Sequence, residues 1–319
     1  MLSKNTSLIR YSIGIILLTY CIFLISGSSE REIIKQVSFK LLIISLLFHF
    51  TIQILFGVFQ LFSLKRLFNT QISFLDVCIF PFLIIFWGYV IPIKGGMIFS
   101  VFYLKEKYEI NYHEGISYGL VIQVLSLFFS GIFIAIYAIS LDIINPSIFF
   151  ISILLISSPI IILFLSRISF MFNYKAINFF FETLETISNT LVKSLKDIYI
   201  FNIFLLFTVS NIILRGIWIF VIAHELKYNF SLQASLAVSS IMSLTQVLQF
   251  TPGGLGVSEL LSSYIVSFFY IDMVQTLAIL VVIRATSLIL SLPVGWFGTI
   301  YNLKNLSKAN ITKIYKSIN

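Results

Sequence analysis

Charged residues are scarce in this chain of 319 residues, since Asp, Glu, Lys and Arg together make up 11% of it. In soluble domains roughly a quarter of the residues are charged and about half are apolar. Here 59% of the residues are hydrophobic. Apolar runs of about twenty residues recur, and each is long enough to cross about 30 Å of hydrocarbon. The composition excludes a soluble globular protein and predicts an all-α polytopic membrane protein.

Cysteine, histidine and catalytic motifs are also sparse. The two cysteines, Cys21 and Cys78, lie in apolar runs and provide neither a disulfide framework nor metal-ligand spacing. The three histidines are far apart, and the sequence contains no GxxxxGK[ST] phosphate-binding motif and no Ser/His/Asp arrangement. We therefore predict no metal, no cofactor, no ATP-driven step and no enzymatic activity.

The chain divides into six apolar spans and two broken apolar regions. The spans cover about residues 8–26, 37–61, 115–140, 147–165, 198–223 and 275–301. The broken regions, 74–104 and 232–270, contain proline and glycine, which predicts a re-entrant hairpin in each. Residues 168–197 are polar with apolar residues at helical spacing, which predicts a helix lying along the membrane interface. We expect a single domain over residues 1–319.

The formal net charge of +8 does not indicate a nucleic-acid partner, because Lys and Arg lie mainly at the ends of apolar runs. With six crossings and two hairpins, 14 of the 21 Lys and Arg residues fall on the face that both termini share. Four fall on the opposite face. This asymmetry predicts the cytoplasmic membrane, with both termini in the cytoplasm.

The most unusual stretch of the chain runs from Gln246 to Glu259. Among apolar helices it places one proline and three glycines, at Pro252, Gly253, Gly254 and Gly256. Proline removes a backbone donor, and glycine adopts backbone angles that other residues avoid. The pattern predicts a helix that stops near Phe250, an elbow, and a new helix that starts near Val257. Such a break is tolerated in hydrocarbon only where it is buried in protein or lines a wet cavity.

The first broken region contains a matching break. In order, it contains Pro92, Lys94, Gly95 and Gly96. The proline and the glycine four residues later match the second region, and a polar residue follows 31 or 32 residues after each proline, at Gln123 and Arg284. Two halves of opposite orientation, here 37–140 and 198–301, are typical of an inverted-repeat transporter with a site near the membrane midplane.

The second elbow supplies the strongest candidate binding residues. A helix that starts near Val257 points its free N–H groups at the elbow, which favours a phosphate head group. Ser258 is predicted to cap this end, and Glu259 to lie in the first turn. Because buried charge in a membrane needs a partner, we predict that Arg284 pairs with Glu259 and that either residue releases the other to bind a charged head group. A static ion pair and close packing by the glycines are the structural alternatives.

Four further polar residues are weaker candidates. Arg215 lies deep in the fifth span, where it could contact a ligand, the backbone or the interface. Gln246 and Gln249 share a helix face, on which they could bind ligand oxygens or another helix. Lys94 in the first elbow could contact a lipid phosphate or extend to the interface.

The segments Pro252–Glu259 and Pro293–Gly295, together with Arg284, resemble the signature of the lysylphosphatidylglycerol synthase transmembrane-region family, also described as flippase-like. The resemblance covers most of the chain and implies a bundle with re-entrant segments that translocates a lipid. The implied substrate is an anionic phospholipid, an aminoacylated one or a polyprenyl-phosphate-linked sugar, and the implied partner is a lipid- or glycan-synthesising enzyme. The soluble aminoacyl-transferase domain of the full-length synthases has no counterpart here, so we expect no lipid synthesis.

The first half departs from the family pattern. Met97 and Ser100 stand where the family usually carries glutamate and arginine, and Gln123 and Ser126 stand where arginine and aspartate are common. Two alternatives to transport therefore remain. One is a membrane glycosyltransferase or its accessory, which needs an acidic base or a metal-binding pair near the interface. The other is a scaffold that binds a synthase without moving lipid.

Overall fold

The computed structural model describes residues 4–28, 37–91, 94–140, 146–169, 178–247 and 251–303. Within these ranges the chain forms α-helices, one 3-10 turn at Pro252–Gly254 and no strand, which confirms the predicted all-α fold. The helices are α1 (Lys4–Ser26), α2 (Phe39–Phe68), α3 (Phe74–Val90), α4 (Gly95–Tyr108), α5 (Tyr112–Ser140), α6 (Pro146–Ile156), α7 (Ser158–Ser169), α8 (Asn178–Lys196), α9 (Ile198–Glu225), α10 (Leu232–Val247), α11 (Val257–Ser267) and α12 (Met273–Leu303).

Five helices are long and apolar enough to cross a membrane, namely α1, α2, α5, α9 and α12. The pair α6 and α7 makes a sixth crossing if the two helices count as one span. The sequence predicted one continuous span there, but the two helices meet at 50°. Pro159 in the first turn of α7 explains the bend, because its ring excludes the helical position of the carbonyl of Leu155. The polytopic prediction is confirmed, and the predicted six crossings agree with these lengths.

Each broken region folds into a pair of helices that are short for a full crossing. The arms α3 and α4 have 17 and 14 residues, and α10 and α11 have 16 and 11. At 1.5 Å per residue these arms are about 16 to 26 Å long, against about 30 Å of hydrocarbon. In the first pair, Asp76 at the start of α3 meets Lys107 at the end of α4, so the arms are antiparallel. This is the geometry expected of the predicted re-entrant hairpins.

A buried carboxylate closes the base of the first hairpin. Ser73 caps α3 by accepting a hydrogen bond from the backbone N–H of Asp76. The Asp76 side chain is 4% exposed and accepts hydrogen bonds from Lys107 Nζ at 2.6 Å and from the Tyr103 hydroxyl at 2.7 Å. The Tyr108 hydroxyl donates to its second oxygen. These contacts hold the ends of the two arms together.

The two halves of the chain pack against each other in a reciprocal pattern. Helix α3 packs on α12, the last span of the second half, and α10 packs on α5, the last span of the first half. The first spans of the halves, α2 and α9, pack on each other and on the first arm of their own hairpin. An exchange of partners between corresponding helices is what an inverted repeat produces. It brings both elbows into the space between the halves.

Helices α1 and α8 lie outside this pattern. Helix α1 packs on α11, α12 and the 3-10 turn, and 17% of its apolar stretch is buried. Helix α8 packs on α5 and α7, with Ile187 and Leu191 buried in a core shared with α2, α5 and α9. The predicted apolar face of this segment therefore lies against the protein where it is described. Its place at the membrane interface stays a prediction, and residues 170–177 lie outside the described ranges.

Candidate functional site

The second elbow follows the predicted path over the part that the structure describes. Helix α10 ends at Val247, residues 248–250 lie outside the described ranges, and α11 begins at Val257 as predicted. Between them Gly253 has φ of 59° and Gly256 has φ of 74°. A Cβ on Gly253 would also lie 2.3 Å from the Tyr89 ring, so both the backbone angle and the close approach require glycine.

The predicted pair of Arg284 and Glu259 is present, and it is part of a larger network. Arg284 Nε and Nη2 each lie 2.5 Å from Glu259 Oε1. Its Nη1 donates to the Tyr89 hydroxyl at 2.8 Å and to the Gly253 carbonyl at 2.9 Å, and its Nη2 donates to Ser258 Oγ at 2.6 Å. A guanidinium has five N–H donors, and five contacts are made here. All three guanidinium nitrogens of Arg284 are therefore held by the protein.

Ser258 does not cap α11, so that prediction is wrong. The N-cap residue is Gly256, and its position makes no side-chain capping bond. Ser258 is the second residue of the helix, where its hydroxyl accepts from Arg284 and its Oγ lies 3.0 Å from the Gly254 carbonyl oxygen. A side chain caps a helix from the position before its first residue, and here glycine, which has no side-chain oxygen, occupies that position.

The first elbow also begins its second arm after a residue with positive φ, and it has a different charge pattern. Lys94 is the N-cap residue of α4 with φ of 52°. Its Nζ donates to Gln123 Oε1 at 2.6 Å, a neutral partner. Gly95 and Gly96 form the first turn of α4, where a Cβ on Gly96 would lie 2.2 Å from the carbonyl oxygen of Ile84. The glycines thus let the two arms of the hairpin touch through their backbones.

Tyr89 joins the two elbows. It lies at the end of α3, one turn before the first elbow, and its ring packs on Gly253 in the second. Its hydroxyl accepts the hydrogen bond from Arg284, and its backbone carbonyl accepts one from the Tyr11 hydroxyl of α1 at 3.2 Å. Val90 also accepts from Tyr11. One aromatic residue therefore connects α1, both hairpins and α12.

Both elbows line one cavity of about 390 Å³ between the two halves. Its walls come from both hairpins and from α2, α5, α9 and α12. The charged residues in the described wall are Lys94, Arg215, Arg284 and Glu259, so three cations face one carboxylate. Since Glu259 is bound by Arg284, the positive charges of Lys94 and Arg215 are left without an acidic partner among these residues.

Arg215 is the least satisfied cation of the cavity. It lies on α9 and makes no hydrogen bond or ion pair with any described residue. Its neighbours in the wall include His49, which is 4% exposed and hydrogen-bonded to Ser291 Oγ at 2.8 Å. A guanidinium without a partner can form bidentate hydrogen bonds with phosphate or carboxylate oxygens.

The structure brings most of the predicted site residues together. The wall contains Gln246, Gly253, Ser258, Glu259, Arg284, Arg215, Lys94 and Gly96. Four others shape the elbows without lining the cavity, namely Gly95, Pro252, Gly254 and Gly256. Pro92 and Gln249 lie outside the described residues. The ligand contacts proposed for all of these residues stay predictions.

Several polar wall residues were missed from the sequence. Gln53 and Gln60 of α2 and Asn211 of α9 all line the cavity. A signal for them existed, because Gln53 and Gln60 are seven residues apart and Asn211 precedes Arg215 by four. Polar residues at these spacings share one face of an otherwise apolar helix. Tyr89 gave no such signal, since its partners are far away in the chain.

Fold and site together define an integral membrane protein whose two broken helical hairpins enclose a polar cavity. The profile of the family described as "Lysylphosphatidylglycerol synthase TM region" matches residues 11–295. The chain belongs to this family. No curated protein and no solved structure matches the chain at a significant level.

Proposed function

We propose that this protein moves a lipid with an anionic head group across the cytoplasmic membrane, without an ATPase of its own. The observation that carries the proposal is the cavity between the two elbows, with three cations and one carboxylate in its wall. Membership of a family whose name refers to lysylphosphatidylglycerol synthesis is consistent with a lipid substrate.

The size and charge of the cavity suit a head group. A volume of about 390 Å³ lies at the small end of the usual range for ligand pockets. It accommodates a phosphate and its substituent while the acyl or isoprenoid chains stay in the surrounding lipid. In a low-dielectric site the cations Lys94 and Arg215 attract an anion far more strongly than they would in water. Their removal should therefore weaken head-group binding.

The membrane orientation belongs to the same proposal. The distribution of Lys and Arg supports an orientation with both termini in the cytoplasm. In a chain with Cys21→Ala and Cys78→Ala, an impermeant maleimide applied to whole cells should label Lys40→Cys and leave Lys65→Cys unlabelled until the cells are opened. Both side chains are exposed, so burial does not bias the comparison. Labelling of Lys65→Cys in intact cells would reverse the orientation.

The transport experiment uses phosphatidylglycerol with a fluorophore on an acyl chain, so that the head group is unchanged. Dithionite quenches only the fluorophores in the outer leaflet, which carry about half of the signal. In proteoliposomes of the full chain it should quench well over half of the signal, because the lipid moves between the leaflets. Arg215→Gln should slow this exchange at least about tenfold, whereas Lys65→Gln, which removes one exposed positive charge, should leave it unchanged. Equal exchange with the parent protein and with protein-free vesicles would refute the proposal.

Glycosyl transfer is less well supported by the same cavity. The only carboxylate in the described wall is Glu259, and it is bound by both Nε and Nη2 of Arg284. A general base has to be free to accept a proton from its substrate. A sugar-transfer assay with a polyprenyl-phosphate acceptor would detect the activity if it existed.

A further inference from the structure

We propose that the cavity selects a phosphate lipid with an uncharged, hydroxyl-bearing head group and discriminates against aminoacylated lipids. This inference rests on the proposed function and specifies its substrate class. Two features carry it: the side-chain amides and hydroxyls of the wall, and the balance of charge around them. Each points to a different part of the head group.

The wall is rich in side chains that bind hydroxyl groups. Among the residues that the structure describes, five amides and ten hydroxyls line the cavity, from Gln53, Gln60, Gln123, Asn211, Gln246, Tyr89, Ser100, Tyr118, Ser126, Thr208, Ser243, Thr245, Ser258, Ser262 and Ser287. Amides and hydroxyls both donate and accept hydrogen bonds, as the hydroxyls of glycerol, inositol or a sugar do. A simple hydrophobic pore would not need them.

The side-chain amide of Gln60 has a hydrogen-bond acceptor that no described residue satisfies. The residue is 5% exposed, and its Oε1 is buried with no hydrogen-bond partner among the described residues. The same holds for Trp218 Nε1, a donor on a residue that also lines the cavity. A buried polar atom without a partner is unfavourable, and a ligand that supplies the partner gains affinity. The wall thus contains one acceptor and one donor without partners, and different hydroxyl groups of a polyol can pair with each of them.

The charge balance disfavours an ammonium group in the same place. Lys94 and Arg215 face no free carboxylate in the described wall, because Glu259 is held by Arg284. A phosphate is attracted by this arrangement, whereas the amines of a lysyl ester would meet like charge with no acidic partner. The selectivity therefore comes from repulsion between the cations and the lysyl amines as much as from attraction between the cations and the phosphate.

Two kinds of lipid carry the chemistry that the wall recognises. One is a glycerophospholipid with a polyol head group, such as phosphatidylglycerol, and the other is a polyprenyl-phosphate-linked sugar. They share a phosphate followed by uncharged hydroxyls and differ in their hydrocarbon chains. Binding of both lipids to the purified full chain, measured separately by native mass spectrometry, distinguishes the two sources.

The main experiment compares phosphatidylglycerol, lysyl-phosphatidylglycerol and the same lysyl lipid with both amines acetylated, at neutral pH. We expect at least about tenfold weaker binding of the lysyl lipid and recovery to within about threefold on acetylation, since acetylation keeps the bulk and removes the charge. Equal binding of the lysyl lipid would overturn the inference while leaving lipid transport standing. Weak binding of both bulky lipids would mean exclusion by size, and it would overturn the inference too.

Variants test the two features separately. Ser126→Asp adds a carboxylate to the wall. It should bring the ratio of the affinities for phosphatidylglycerol and lysyl-phosphatidylglycerol at least about threefold closer to one.

Gln60→Leu should weaken binding of phosphatidylglycerol by about threefold or more. It should leave binding of phosphatidic acid, which has no head-group hydroxyl, unchanged. Gln71→Leu is the matched control, because Gln71 is exposed and lies outside the helices. An unchanged preference in both cavity variants would overturn the inference. Failure of the parent chain to bind or move any anionic lipid would instead refute the proposed function itself.

Discussion

Both elbows place a residue with positive φ, Lys94 or Gly256, directly before their second arm, but the two elbows have opposite arrangements of donor and acceptor. In the second elbow the spanning helix supplies the donor, Arg284, and the elbow helix supplies the acceptor, Glu259. In the first elbow the donor is Lys94 of the elbow and the acceptor is Gln123 of the spanning helix. Gln123 and Arg284 occupy corresponding places, 31 and 32 residues after the respective prolines. Corresponding positions of the two hairpins therefore hold two different polar contacts.

The consequence is a division of tasks between the elbows. Arg284 makes four hydrogen bonds and one further ion-pair contact, so it fixes α11, α12 and Tyr89 relative to one another. Lys94 has three donors and makes one hydrogen bond to a described residue. The second elbow has the properties of a rigid support, and the first elbow keeps hydrogen-bonding capacity for a ligand. Four substitutions test this division, from the largest expected effect on stability to the smallest.

Arg284→Met should have the largest effect, because it leaves Glu259 buried without its partner. Breaking a buried ion pair from one side costs about 3–5 kcal/mol. We expect a clear fall in the unfolding temperature of the purified protein in detergent. The double variant with Glu259→Gln should recover part of that loss, since the uncompensated charge is gone. If Arg284→Met unfolded at the parent's temperature, the second elbow would not be the support that its contacts indicate.

Gly96→Ala comes next, and it tests the backbone contact of the first hairpin. The new Cβ would lie 2.2 Å from the carbonyl oxygen of Ile84, which is far inside van der Waals contact. Overpacking of this kind costs about 1–3 kcal/mol. The control is Gly88→Ala on the facing helix, where the nearest atom would lie at 3.8 Å. Equal unfolding temperatures for the two variants would contradict the close contact.

The break in each hairpin could be predicted from the sequence, whereas the contact between the two elbows could not. Proline and glycine have local effects on the chain, and so the start of α11 at Val257 was predicted correctly. The pairing of Arg284 with Glu259 was also predicted, because two buried charges of opposite sign in neighbouring segments have few other partners. Tyr89 lies 195 residues from Arg284, and no rule of spacing relates such positions. The bend at α6 and α7 was missed, since the apolar run masked Pro159.

Tyr89→Phe should have a smaller effect, confined to the connection between the elbows. It removes one neutral acceptor from Arg284 Nη1 and keeps the ring that packs on Gly253. The net loss for a hydrogen bond to a charged group is about 1.5–3 kcal/mol, and we expect the lower end because Nη1 keeps its hydrogen bond to the Gly253 carbonyl. Thermal unfolding should show a small decrease, and Tyr89→Ala a larger one because the ring contact is lost as well. Equal decreases would place the whole contribution of Tyr89 in its hydroxyl group.

Lys94→Met should change stability least and ligand binding most, which is the opposite of Arg284→Met. The lysine gives up one hydrogen bond to a neutral amide, and the removal of an unpaired cation from a partly buried site offsets that loss. The affinity for phosphatidylglycerol should fall at least about fivefold, since one of the two unpaired positive charges of the wall is gone. Lys65→Met serves as the control, because its side chain is exposed and outside the cavity. A large fall in the unfolding temperature with unchanged lipid binding would assign Lys94 to the support of the fold, and the two elbows would then have the same task.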